Sequence, residues 1–136
     1  MAKRRRGSRA VQHRPSRHRP FSALVDVALA AIPEPFASAL HEVAVVIADE
    51  PTPDQLRENE LEPEDALYGL YEGVPRTEWG ADWAVVPSRI TLFRLPLEED
   101  FPDPDDLADE VWVTVVHELA HHLGIDDERL EELGVD

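Results

Sequence analysis

"P-D-D-L-A-D-E-V-W-V-T-V-V-H-E-L-A-H-H-L-G", residues 104–124, opens on a proline and two acids and closes on a glycine. Asp103 just before it suits a helix N-cap, Pro104 the first helical position, and the following acids the positive end of the helix dipole. Gly124 suits a left-handed cap. The spacing therefore predicts a helix over about 104–123. From Val111 to Leu123 it is apolar on nearly every side, as a helix buried in a core is. Yet it carries three of the chain's six histidines within six residues: His117, His121 and His122.

Histidines four apart on a helix project from one face and can converge on one ion. Glu118 lies beside that face, where it can hold a water without ligating the metal; this is the H-E-x-x-H arrangement. Gly124 lets the chain reverse, so that Asp127, ten residues after His117, can return as a third ligand. Asp126 competes for that place, and spacing favours Asp127. Three protein ligands leave a fourth position for water, as a catalytic zinc site requires. Zinc lowers the pKa of that water, and Glu118 would take its proton as it attacks a carbonyl. With this composition, H-E-x-x-H arises by chance in about three of a hundred such chains, so the added Gly124 and Asp127 carry much of the specificity. His122 is turned about 140° from His117 around the helix, which makes it a packing or supporting residue. Tyr68, Tyr71, Arg89 and Arg94 are candidates for stabilising an oxyanion, and Trp79, Trp83 and Trp112 for core or cleft wall.

The rest of the 136 residues sets the frame. The length suits one domain with a small core. The absence of cysteine excludes disulfides and thiolate metal sites. The net charge of −16 combines two unlike parts. Residues 1–20 hold eight basic residues and no acid, +8; the remainder holds five arginines against 29 acids, −24. The body repels phosphate backbones, so nucleic acid is an expected partner only through the basic tail. That tail, 1–20, is expected to be disordered, and the domain to span 21–136. A basic stretch followed by "F-S-A-L-V-D-V-A-L-A-A" imitates a twin-arginine secretion signal. Asp26 interrupts it, and Leu24, Val27, Ala28, Ala31 and Ile32 fall at helical spacing, so a cytoplasmic protein without membrane contact is expected.

Ser22 can cap a helix running to about Ile32, and Pro35 can start a short one to about Leu40. "V-A-V-V-I-A" (43–48) reads as a buried strand. Thr52 and Pro53 can open one helical turn. "A-L-Y-G-L-Y-E-G-V-P" (66–75) is a second strand or the approach to a tight turn, and 78–88 a loop with or without a short strand at Trp83–Val86. "R-I-T-L-F-R-L-P" (89–96) alternates as a strand, with Ile90 and Leu92 opposite Thr91, Phe93 and Leu95, and Pro96 at a strand end. Residues 126–133 form a last short helix.

The run "H-E-L-A-H-H-L-G-I-D-D-E-R-L-E-E-L-G" (117–134) resembles the small bacterial minimal zincins, a family of zinc metallopeptidases. Residues 21–33, 67–75 and 89–97 also look like that family. The resemblance implies an α+β domain with about three strands and about five helices. It also implies one zinc ion held by His117, His121 and Asp127, with Glu118 as catalytic base and a peptide or protein as substrate. It places the strand at 89–95 near the cleft, where zincins pair an edge strand with substrate. Asp127 stands where metzincins have a third histidine, and no methionine beyond Met1 exists to form their Met-turn. Two other functions suit the residues: a metal-binding interaction module with little catalysis, and a metalloprotein similar to the rRNA-maturation endoribonucleases. The latter share His117, His121, Gly124 and Asp126 but have glycine in place of Glu118 and histidine in place of Asp127.

Overall fold

The computed structural model describes residues 2–5, 20–73 and 88–134. Its long helix runs Pro104–Leu123, with the Asp103 carboxylate accepting from the backbone N–H groups of Asp105 and Asp106 and Gly124 in the left-handed region at φ 73°. Both ends thus form as their local chemistry dictates. Numbered along the chain, the strands are β1 (Ala2–Arg5), β2 (Val43–Ala48), β3 (Asp65–Glu72) and β4 (Ser88–Phe93). The helices are α1 (Phe21–Ala30), α2 (Phe36–Ala39), α3 (Pro53–Glu58), α4 (Arg94–Asp100), α5 (Pro104–Leu123) and α6 (Asp127–Leu133), with a 3-10 turn at Leu40–Glu42. This is an α+β domain, as the sequence implies.

The sheet has the order β1-β3-β4-β2. β3 runs antiparallel to β4 and to β1, whereas β2 runs parallel to β4 with Val45 opposite Ile90. One face buries the main core: Leu24, Val25 and Ala28 of α1, Ile90 and Leu92 of β4, and Val111, Val115 and Leu119 of α5. The other face holds a small cluster of Leu67, Leu70 and Phe93, with Leu56 and Leu61 packed against it. The alternation along 89–93 thus places Ile90 and Leu92 on the core side and Phe93 on the other.

Several expectations are corrected. Among the described residues β2 is an edge strand, with Val46 38% and Ile47 42% exposed; a short apolar run does not itself distinguish a central strand from an edge. The strand expected over 89–95 stops at Phe93, because Arg94 already opens α4. Pro96 sits in the first turn of that helix, where a proline forfeits no intrahelical hydrogen bond. β4 is interior, so it offers no edge to a substrate. α1 begins at Phe21, with Pro20 rather than Ser22 in the cap position and no side-chain cap, and it ends at Ala30. At α3, Thr52 and Gln55 form a reciprocal capping box.

In the basic tail, Ala2–Arg5 are a strand rather than disordered: they extend the sheet at the outer edge of β3. Such an edge presents unpaired backbone groups that any extended segment can satisfy, whatever its side chains. Residues 6–19 lie outside the described residues, as do Trp79, Trp83 and the possible strand at 83–86.

β3 and α5 approach closely at Gly69. A Cβ there would stand 2.5 Å from Thr114 Cγ2, and Thr114 is fully buried with a stiff β-branched side chain. Gly69→Ala is expected to destabilise the fold by about 1–3 kcal/mol through overpacking, which urea denaturation would measure. An unchanged midpoint would contradict this packing.

Candidate metal centre

The last two turns of α5 carry His117, Glu118 and His121. His117 is half-buried, His121 points into solvent with a side chain 43% exposed, and Glu118 is completely buried. Glu118 Oε1 accepts a hydrogen bond from the backbone N–H of Tyr71 at 2.8 Å and lies 3.6 Å from His121 Nδ1. A carboxylate buried in a helix interior is costly unless held by donors. Here β3 supplies one from its own backbone.

His122 faces the other way and is fully buried. Its Nε2 lies 2.8 Å from Glu42 Oε1 and its Nδ1 2.9 Å from the Tyr71 hydroxyl, which is also 3.1 Å from Ser88 Oγ. The expected supporting role of His122 therefore has a definite form: it ties the turn before β2 to Tyr71, whose backbone holds Glu118. Burial raises the Tyr71 pKa above its ordinary value, Glu42 adds to the rise, and the Ser88 hydrogen bond opposes it. A raised folded-state value favours the neutral phenol. That contribution to stability is complete below the ordinary tyrosine range and is lost only as pH rises through the folded-state value. The hydroxyl therefore stays protonated across neutral pH.

Tyr71→Phe is expected to cost about 1–3 kcal/mol, because it deprives the buried His122 ring of a partner. Urea unfolding of the variant would read this directly, and a change within error of zero would argue against the strut.

The Gly124 reversal leads into α6, whose N-cap is Asp126: its carboxylate accepts from the Arg129 N–H at 2.8 Å. Asp127 is the first helical residue and is exposed. Among the described residues, no group of three His, Asp or Glu side chains stands close enough to hold a metal ion. The structure thus places His117 and His121 one helical turn apart but does not bring Asp127 to them. The local cause is the start of α6, which fixes the backbone at Asp126 and leaves the next carboxylate in solvent. In chemical type the donor set fits zinc, since two imidazoles and a carboxylate are ordinary zinc ligands.

The candidates for stabilising an oxyanion separate. Tyr68 donates to Asp100 at 2.6 Å and packs edge-on against Phe101. Arg89 pairs with Glu72 at 3.0 Å, and Arg94 bridges Asp49 and Glu98. Each of these three has a structural role, and Tyr71 holds Glu118 through its backbone N–H. Trp112 joins α5 to α1 by donating to the Ala31 carbonyl at 3.2 Å. Sequence reading missed Glu42 and the use of the Tyr71 backbone, since neither contact has a signature in spacing.

Among the described residues, no helix is long and apolar enough to cross a membrane. A search among curated proteins returns no match. A family model described as zincin-like metallopeptidase matches residues 40–135, which takes in β2, β3, β4 and the whole of α5 and α6. The match covers well over half of the chain, so the chain belongs to the zincin-like metallopeptidase family.

Proposed function

We propose that this protein is a zinc-dependent peptidase in which His117, His121 and Asp127 hold one metal ion and Glu118 is the catalytic base. The observation that carries the reading is Glu118 itself, fully buried, 3.6 Å from His121 Nδ1 and anchored by the Tyr71 N–H at 2.8 Å. A buried acid that served only the fold would be an expensive choice where an apolar residue packs as well.

Bound zinc supplies Lewis acidity and makes water a nucleophile near neutral pH. The chain's own residues do the rest. Tyr71 fixes one carboxylate oxygen, so Glu118 keeps a single orientation and can take a proton from the attacking water and pass it to the leaving amine. His122 and Glu42 hold Tyr71 from behind. Asp126 is committed to capping α6, which leaves Asp127 as the carboxylate able to move toward His117 and His121.

The test is hydrolysis of a mixed peptide library by the full chain. Cleavage that stops with a zinc chelator and returns with added zinc supports the proposal. Full zinc loading with no turnover on any peptide would instead favour a metal-binding module. The exposed position of Asp127, apart from the two histidines, suits that second reading.

A further inference from the structure

The two edges of the sheet are built differently. A strand edge presents unpaired N–H and C=O groups, and chains ordinarily protect it with charged residues, proline or a bulge. β1, at one edge, has the sequence Ala-Lys-Arg-Arg, and its register shifts between Ala2 and Lys3. β2, at the other, has none of these protections. Val43–Ala48 is six apolar residues without charge or proline, in unbroken register with β4. Among the described residues no strand lies on its outer side, and Ala44, Val46 and Ile47 are exposed. Val46 and Ile47 stand on opposite faces of the sheet, so apolar surface is open on both.

A second copy of the same strand fits this edge. Two copies meet antiparallel about a two-fold axis normal to the sheet, a self-complementary contact. That axis keeps each face of the sheet on its own side, so a residue meets only residues of its own parity. Centred on Val45, the register sets Val45 against Val45, Val43 against Ile47 and Ala44 against Val46. Each large exposed residue then meets a smaller one, and Ile47 extends the main core from Val43 and Val45 across the seam. Just past the strand, Glu42 falls level with Ala48, so no acid faces an acid. The neighbouring registers are worse: centred on Ala44, Val46 meets Glu42; centred on Val46, Val43 meets Asp49. Both flanking acids already have partners in their own chain, Glu42 at 2.8 Å from His122 Nε2 and Asp49 at 3.0 Å from Arg94. What opposes the pairing is the net charge of −16 on each chain, which salt screens.

We infer that the outer edge of β2 is the interface of a symmetric dimer, in which two copies pair antiparallel through Val43–Ala48 about Val45 and join their two sheets into one. Glu118 is held by β3, which β4 separates from β2. The dimer therefore leaves Glu118 uncovered, and it requires neither zinc nor the peptidase reading. Six residues of paired strand make a small interface, at the weak end of specific contacts, so association depends on concentration.

Sedimentation velocity of the full chain, in about 0.15 M salt to screen the net charge, should show the mass rising from one chain to two between roughly 10 and 500 µM, as a small interface allows. Val46→Lys with Ile47→Lys should weaken this association at least tenfold, even though two added lysines lower the net repulsion between chains. Both positions are exposed, so the monomer should keep its fold. The register is read separately. The chain has no cysteine, so one introduced thiol reports only its own counterpart. Val45→Cys brings two thiols across the axis, with Cβ atoms about 5 Å apart, and should oxidise to a linked pair. Ile47→Cys is more exposed but sets its thiols four residues apart along the ladder, roughly 13 Å, and should stay unlinked. Should the lysine variant unfold, the two thiol variants still decide. A single-chain mass throughout, association unchanged by the lysines, growth beyond two chains, or linking at residue 47 as fast as at 45 would each overturn the inference.

Discussion

Glu118→Gln is expected to reduce peptide hydrolysis by about a thousandfold or more while leaving the fold and the bound zinc in place. General-base catalysis by a positioned carboxylate supplies about 10²–10⁴ in rate, and an amide cannot accept the proton. Glutamine keeps the shape of the side chain, and its amide oxygen can still accept the Tyr71 N–H that Glu118 Oε1 accepts at 2.8 Å. The substitution also removes a buried charge, so stability should hold or rise. Progress curves on a cleaved peptide, beside the zinc content of both proteins, would measure this. Activity within a factor of ten of the original would show that Glu118 is not the base. Loss of zinc with the activity would show that Glu118 is a ligand instead.

The second large effect concerns the third ligand. Zinc added to metal-free protein should raise the Tm, since a ligand that binds only the folded state stabilises it by mass action, about 4 kcal/mol at a thousandfold excess over Kd. His121→Ala should abolish that rise. Asp127→Ala should remove most of it, because two imidazoles alone make a weak site. Asp126→Ala should leave the zinc-induced rise intact but lower the baseline by about 1 kcal/mol, the worth of an N-cap. The Asp126 carboxylate is bound to the Arg129 N–H, whereas Asp127 is exposed beside it. Differential scanning fluorimetry with and without zinc separates the two. If Asp126→Ala abolished the rise and Asp127→Ala did not, the assignment would reverse.

The best-read parts of the sequence are those fixed by neighbouring residues. Asp103, Pro104 and Gly124 delimit α5 to the residue, and Thr52 with Pro53 opens α3. The alternation of Ile90, Leu92 and Phe93 gives the faces of β4. Readings failed where the deciding neighbour is distant in the chain. Val43–Ala48 looks central by composition, yet among the described residues it pairs with β4 alone. Arg94 continues the strand pattern by alternation but turns into α4, with its guanidinium held by Asp49 and Glu98. Ala2–Arg5 has no apolar pattern at all and becomes a strand because β3 has an edge to fill. At the site, the histidines and Glu118 are legible because one helix spaces them. The Glu42–His122–Tyr71 strut joins residues 42, 71 and 122, and no local pattern announces it.

Elemental mass spectrometry of the full chain, purified without chelators, tests the central claim most directly. The account predicts about one zinc per chain, lost on His121→Ala. Protein that carries no metal after purification and takes up none on adding zinc would contradict it, leaving His117, Glu118 and His121 as the polar end of a buried helix.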